Sequence, residues 1–476
     1  RHQQLSRYDH IGVRVGPSFL GDELYLNIDP GFAFYFDTWA MSVHAPLKLG
    51  PVRHEEKGFS IRSEEWDELA DYAKVIRFLT IGRKEDRFYF TINSLRPSTL
   101  GHGQLINKYQ GNVDLNRSLT GLTFDAYTDH GGFQLFLNDI TFQNRIVGAL
   151  AFLKPLSVVS DATMAKSLSI GFEYAADFHA PQCLLAQEDG PCIEPGTSAP
   201  EIDRNAQGLP FTQTTTVQAA GLSFEMKVWR QGEKIDLKLF GTYHRFLEDE
   251  GDGAAAGLLA RLTFGQPWMH ALRIRAEYRT HEDGFSPSYF DSLYEIRKYR
   301  DFGARDGTVA QTKYQRVFEN TESFGQRHGY NIETSWGLFK GSRSNKKVAL
   351  GVGLSDTNGP NDSRFYAHLE LPWLELVQVF GTYMRLNEDS LSDLFTDIMD
   401  ADNAILIAGI RLKLLPILFI NAHVSKSFQS LDTDDGNLEI ALNDGEAPSS
   451  SGYRVFENIP TFYIEAELGW EFGNDS

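Results

Sequence analysis

Lys227, Lys238, Arg261, Arg273, Arg275 and Arg279 recur at alternate positions of four consecutive apolar–polar runs, and Glu225, Asp236 and Glu277 stand among them. Alternate side chains of an extended chain share one face, and neighbouring strands lie about 4.8 Å apart. Four such strands side by side would gather these groups into one patch. Two chemistries suit it. Bare Arg and Lys lining a passage select anions. The same cations paired with acids would instead brace or fill a polar interior.

Other chemistry-bearing residues point less far. Gly101-His102-Gly103 and the scattered histidines lack metal-ligand spacing, and the acidic run Asp432–Glu439 has Asn443 where a calcium loop needs its twelfth-position Glu. No G-x-S-x-G motif places a nucleophile, so no catalytic residue is assigned. Neither a cofactor nor a metal is expected. Cys183 and Cys192 are the only cysteines, and Gly190-Pro191 lets the chain bend between them. A disulfide within a loop, formed in an oxidising compartment, is the economical reading; two free thiols in a loop is the alternative.

The elements that must position these residues are strands. Leu222, Phe224, Met226 and Val228 oppose Ser223, Glu225 and Lys227; Ile235, Leu237 and Leu239 oppose Asp236 and Lys238. Leu258, Ala260, Leu262 and Phe264 oppose Arg261 and Thr263, and Leu272, Ile274, Ala276 and Tyr278 oppose Arg273, Arg275, Glu277 and Arg279. The same period of two recurs from Ile11 to Phe472. Helical candidates are short and fall between strands: Glu64–Tyr72, Ser286–Tyr299 and Ser390–Asp400. No apolar stretch approaches the ~18 residues of a spanning helix. Aromatic residues are 13% of the chain and glycines number 42, a mix that suits strands and tight turns. The net charge of −19 argues against a nucleic-acid partner.

The connections alternate too. Short ones fall at Arg83–Asp86, Asp129–Gly132, Gln231–Glu233, Gln266–Met269, Gly341–Asn345 and Pro372–Leu374. Long ones fall at about residues 50–72, 96–118, 179–213, 282–327, 388–403 and 430–460. In a soluble sandwich the apolar faces would turn inward to a shared core. In a transmembrane barrel they turn outward to lipid, with a polar lumen, short periplasmic turns and long extracellular loops. The strands are too many for one sandwich, and no linker divides them.

The last run, "TFYIEAELGWEF" (Thr461–Phe472), sets Phe462, Ile464, Ala466, Leu468, Trp470 and Phe472 against Glu465, Glu467 and Glu471. It resembles the C-terminal assembly signal of Gram-negative outer-membrane proteins, through Gly469, Trp470 and Phe472. Four polar residues follow Phe472, where the family pattern ends on Phe. Leu100–Asp114, "LGHGQLINKYQGNVD", resembles porin-like outer-membrane proteins of unknown role. In strand number the chain is similar to exopolysaccharide-export barrels.

The resemblance implies export with a cleaved signal peptide, folding by the barrel-assembly machinery, and lipid and lipopolysaccharide as surroundings. The pattern predicts one domain over 1–476: a single antiparallel barrel of about 18 strands, with 16–20 allowed. Its closing strand pairs with a first strand near Ile11–Val15, so that no backbone edge lies in lipid. Glu465 and Glu467 join the basic residues as lumen-lining candidates. The expected function is a channel or exporter for small solutes or polysaccharide. The alternatives are a docking subunit for other envelope proteins and, less favoured, an outer-membrane enzyme.

Overall fold

The computed structural model describes residues 9–21, 23–50, 60–84, 86–93, 97–143, 145–160, 162–193, 205, 209–232, 234–248, 251–299, 312–319, 325–341, 346–359, 362–372, 376–388, 404–430 and 456–472. The strands are β1 (Asp9–Leu20), β2 (Glu23–Tyr35), β3 (Trp39–His44), β4 (Leu47–Gly50), β5 (Ser60–Ile61), β6 (Ile76–Ile81), β7 (Phe88–Asn93), β8 (Gly121–Tyr127), β9 (Gly131–Leu137), β10 (Ile146–Leu153) and β11 (Ser169–Leu184). They continue as β12 (Thr212–Gln231), β13 (Ile235–Phe246), β14 (Asp252–Phe264), β15 (Trp268–His281), β16 (Arg327–Lys340), β17 (Lys346–Thr357), β18 (Ser363–Leu371), β19 (Val377–Glu388), β20 (Ala404–Leu415), β21 (Leu418–Ser430) and β22 (Phe456–Phe472). Each pairs antiparallel with its neighbours in one continuous sheet.

Strands β3 and β4 both lie against β2, and β5 and β6 lie against β4 and β3, so each pair is one interrupted stave. The sheet is thus a closed barrel of 20 staves. Closure runs through β1 and β22, from Asp9↔Phe472 to Leu20↔Thr461. The expected pairing of the last strand with the Ile11–Val15 run is this seam.

The faces sort as a membrane requires. Ile11, Val15, Phe88, Ile170, Phe172, Leu222, Phe224, Leu258, Ile332, Leu350, Phe462 and Leu468 are large, apolar and exposed. Polar residues one place along point the other way: Arg14 beside Val15, Glu173 beside Phe172, Asn331 beside Ile332 and Glu467 beside Leu468 are buried or partly buried inside. An apolar outside around a polar inside is a transmembrane barrel.

The two rims differ. Short connections at 36–38, 82–87, 128–130, 232–234, 265–267, 341–345 and 416–417 make one rim, the turn rim, where β1 starts and β22 ends. The long connections lie on the other rim. The alternation is not strict. The β1–β2 turn at Gly21, in the left-handed region, is on the long-loop rim, and a 154–168 segment with a short helix α1 (Thr163–Ser167) is on the turn rim. That helix covers the edge of β12, where Lys227 N donates to Ser167 Oγ at 2.9 Å.

The helical candidates are shorter than their patterns. Within Glu64–Tyr72 there is a 3-10 turn, Ser63–Glu65, and the start of a helix, Leu69–Ala73. Within Ser286–Tyr299 only Tyr294–Arg297 is helical. Packing inside the barrel, rather than helical periodicity, orders the rest of that segment. Ser390–Asp400 lies outside the described residues.

Two long-rim connections fold into the lumen. Leu100, Leu105, Ile106 and Tyr109 from the first are buried, as are Phe285, Tyr289, Phe290, Leu293, Tyr294 and Ile296 from the second. The two run side by side as a short parallel bridge: Phe290 N donates to Leu105 O, Asn107 N to Phe290 O, and Ser288 N to Gln104 O. Burying each large apolar side chain contributes about 1.5–3 kcal/mol, which offsets the ordering cost of about 1–2 kcal/mol per backbone residue.

Candidate functional site

The lumen is the candidate site, and ladder register places its groups. Three rows cross β12 to β16. The row nearest the turns is Arg230, Asp236, Arg261, Arg273 and Ser335. Next come Lys227, Lys238, Leu259, Arg275 and Glu333, then Glu225, Phe240, Gly257, Glu277 and Asn331. All six cations singled out in the sequence sit on the lumen side. Arg279 lies beyond the third row, toward the long loops.

Salt bridges cross between the rows. Lys227 pairs with Asp236 at 3.3 Å and Lys238 with Glu225 at 2.6 Å. Arg275 Nε donates to Glu277 at 3.1 Å, and Arg279 meets the other oxygen of the same carboxylate. Asn331 Nδ2 also donates to Glu277, at 3.1 Å. Much of the patch is therefore the brace of the two readings, because each acid lies one row from its cation. Arg261 and Arg273 face each other directly in register.

The inward loops cover the outer rows. The carbonyl oxygen of His102 accepts from Arg275, and Gln104 Nε2 donates to Glu277 at 3.3 Å. Lys108 Nζ donates to Glu333 at 2.6 Å. The His102 ring stacks on Phe240 with centroids 4.3 Å apart, and burial pushes its imidazole below the ordinary range. Strand β15 marks the boundary: Arg273 is exposed, whereas Arg275 is 7% and Arg279 4% exposed. Exposure along β15 thus falls from the first row to the rows that the plug covers.

Glycine lets the plug approach the wall. Gly101 has φ +52°, and a Cβ there would lie 2.6 Å from Glu173 Oε1. Glu173 is fully buried and meets His244 Nε2 at 3.0 Å.

Above the boundary the plug joins opposite walls. One apolar cluster binds Leu105, Ile106, Tyr289 and Tyr294 to Phe136, Ile146, Val217 and Phe246 on β9 to β13. A second binds Val113, Leu293, Ile296 and Tyr299 to Leu184 on β11 and to Met384, Ile405, Phe428 and Phe456 on β19 to β22. Buried charge inside the plug is paired: Lys298 with Glu295 at 2.7 Å, and Asp291 with Arg297 and Lys313. The sequence singled out neither cluster. Their plug residues lie in segments marked as long connections, where the sequence offered a helical candidate, Ser286–Tyr299, and the porin-like run Leu100–Asp114, but no inward packing.

Glu465 and Glu467 also face inward, at the seam rather than in the basic patch. Glu465 accepts from Asn27 at 3.1 Å. Glu467 binds His10 at 2.9 Å, Arg411 at 3.3 Å and Asn421 at 2.7 Å. Gly469 packs beneath the His10 ring, and Trp470 faces outward, 60% exposed. Phe472 pairs with Asp9 through the backbone. Cys183 and Cys192 are disulfide-bonded, with Cα atoms 5.6 Å apart. Cys183 is the penultimate residue of β11, so the bond ties a strand end to its loop. Among the described residues, no group of His, Cys, Asp and Glu is placed to hold a metal.

No family model matches the sequence, and no curated protein does either. Similar solved structures include Wzi of Escherichia coli, an outer-membrane protein involved in group 1 capsule assembly and a carbohydrate-binding β-barrel. It is 11% identical over 99% of this chain and 87% of its own, with a TM-score of 0.33. The outer-membrane protein OpdK of Pseudomonas aeruginosa is 10% identical over 98% of each chain, with a TM-score of 0.33. The ferric enterobactin receptor PfeA of Pseudomonas aeruginosa is 9% identical over 98% of this chain and 82% of its own, with a TM-score of 0.35. Likeness of this degree carries no function across; the barrel's own geometry has to.

Proposed function

We propose that the chain is an integral outer-membrane transport barrel, closed at rest by its own inward loops. The observation that carries this reading is the pair of apolar clusters that join the plug to opposite walls, above a charged vestibule. A barrel needs no lined vestibule merely to span lipid. On this reading the long loops are extracellular, the turns periplasmic, and passage requires the plug to shift. Lipid and lipopolysaccharide surround the wall. A cleaved signal peptide and the barrel-assembly machinery deliver it.

The size of the buried plug also favours a second reading: a barrel that never opens and serves as a docking subunit for other envelope proteins. Planar-bilayer recordings separate the two. The wild type should conduct little. Replacing residues 99–112 with a short Gly/Ser linker should raise conductance several-fold. High wild-type conductance overturns the plug. Low conductance in both proteins removes the transport reading and leaves docking.

A further inference from the structure

The 154–168 segment on the turn rim is folded, yet its large apolar side chains lie outside. Pro155–Ser157 makes a 3-10 turn, and Thr163–Ser167 is the helix α1. Lys154 N donates to His130 O at 2.7 Å, and the His130 ring meets Ser157 Oγ at 2.9 Å. At the far end Ser167 Oγ accepts from Lys227 N of β12. The segment is thus tied to the wall near both ends. Even so, Leu156 is 38%, Met164 48%, Val158 74% and Val159 75% exposed. An ordered segment that leaves such side chains together in the open marks a contact surface.

The surrounding wall says what covers it. Leu153 and Ile170 face each other in register and are both exposed, so the segment leaves and rejoins the barrel at residues of the lipid face. Staves are short on this side: β6 and β7 have 6 residues, β8 and β9 have 7, and β10 has 8. A strand needs about 9–11 to cross the apolar layer. The patch supplies further apolar surface at the turn end of that short side. Its level fits as well. The helix α1 meets β12 close to Trp229, which is exposed and in register with Leu237. Outward Trp residues of a barrel sit at the membrane–water boundary. Helical turns bond much of their own backbone, as a segment lying in that boundary must. We propose that residues 154–168 form an interfacial anchor, with Leu156, Val158, Val159 and Met164 inserted into the phospholipid surface at the turn rim. The inference rests on the membrane-spanning barrel and is independent of the transport reading.

The test is a depth measurement on the full chain in vesicles of phosphatidylethanolamine and phosphatidylglycerol. Both native cysteines are in the disulfide, so a single added cysteine carries the spin label. The sites are Val159→Cys in the patch, Gln231→Cys in an exposed tight turn and Leu222→Cys on the lipid face. Oxygen, which concentrates in lipid, and a water-soluble nickel chelate compete to relax each label. The label at 159 should be several-fold less open to nickel than that at 231 and should respond strongly to oxygen, at a shallower depth than that at 222. Adding V158N/V159N to Met164→Cys should raise nickel access at 164, while heat-modifiable migration shows that the barrel still folds. Nickel access at 159 equal to that at 231 overturns the anchor. Shielding from both reagents overturns it too, because the cover is then protein. Spin–spin broadening at low protein-to-lipid ratio would assign the patch to a second copy and equally overturn it.

Discussion

Single residues inside the plug carry charge where the surroundings are apolar. Asp114 is buried, and its backbone neighbours Val113 and Leu115 bond to Phe428 of the wall. Burial pushes its carboxyl up to about 6, with Arg117 and the Asn116 amide opposing. An acid raised in the folded state holds its proton more tightly there than in the unfolded chain. Stability therefore falls as pH rises across the window from the ordinary carboxylate range to about 6, and the cost is fully present above it. Asp114→Asn keeps an oxygen for the Asn116 amide and removes the titration. At pH 7 the variant should be more stable than the wild type by ~3 kcal/mol, since a tenfold change in proton affinity between the folded and unfolded chain is worth about 1.4 kcal/mol and the carboxyl rises from 3.8 to about 6. Below pH 4 the two should melt together. Thermal midpoints in detergent across pH 3–8 check this; a constant offset at every pH would assign the effect to packing.

At the scale of elements, the seam between β1 and β22 decides whether the sheet closes. Gly12 and Gly469 face each other across it, beside His10. A Cβ at Gly12 would come 2.6 Å from Leu468 O, and one at Gly469 would enter the His10 ring. Gly469→Val should therefore displace His10 from Glu467 and lower the fraction of folded barrel. Trp470→Leu, on the lipid face, should keep it. Heat-modifiable migration on gels reads both. Equal loss in the two variants would place the effect in recognition of the terminal segment rather than in closure. The resemblance to an assembly signal singled out Gly469 from the sequence. The steric reason for glycine comes from a residue near the other end of the chain, which no local pattern could supply.

For the whole molecule, antiparallel order and an even number of staves put the start of β1 and the end of β22 on the turn rim. The segments 282–327 and 430–460 then leave from the other rim, although most of the second lies outside the described residues. Protease added to intact cells should cut within one or both. Cleavage only after the outer membrane is broken would invert the barrel. The inward fold of 283–299 sharpens the expectation, since the buried residues Tyr289, Phe290, Leu293 and Tyr294 are shielded and should stay uncut. Charge reads differently at this scale as well. The chain carries −19 overall, yet the turn-side vestibule is cationic, because register gathers basic residues from four strands onto one stretch of wall.

The class of fold was legible residue by residue. A period of two repeated along the whole chain leaves each strand one apolar face, and twenty such faces can be buried only by lipid around a closed sheet. The two faces of β12 to β15 follow from that period, and Trp470 turns outward once strand number and the alternating connections make the sheet a barrel. The split between short turns and long loops needed only chain length and polarity, and it missed the 154–168 segment because a long connection on the turn rim has no local mark. The sequence could not say where the long loops go. Leu105 and Ile106 are apolar in a segment without periodicity, Tyr289 and Phe290 in one whose pattern suggested a helix, and an apolar residue in a long connection can face lipid, a partner or the lumen. Only the closed barrel offered a polar cavity wide enough to take two loops, with Phe136, Val217, Met384 and Phe428 waiting on opposite walls. The partners of the cations were also beyond reach, because a salt bridge depends on which residues the ladder sets one row apart. Period belongs to one strand and is written in it; register and filling belong to many strands at once, and tertiary structure decided them.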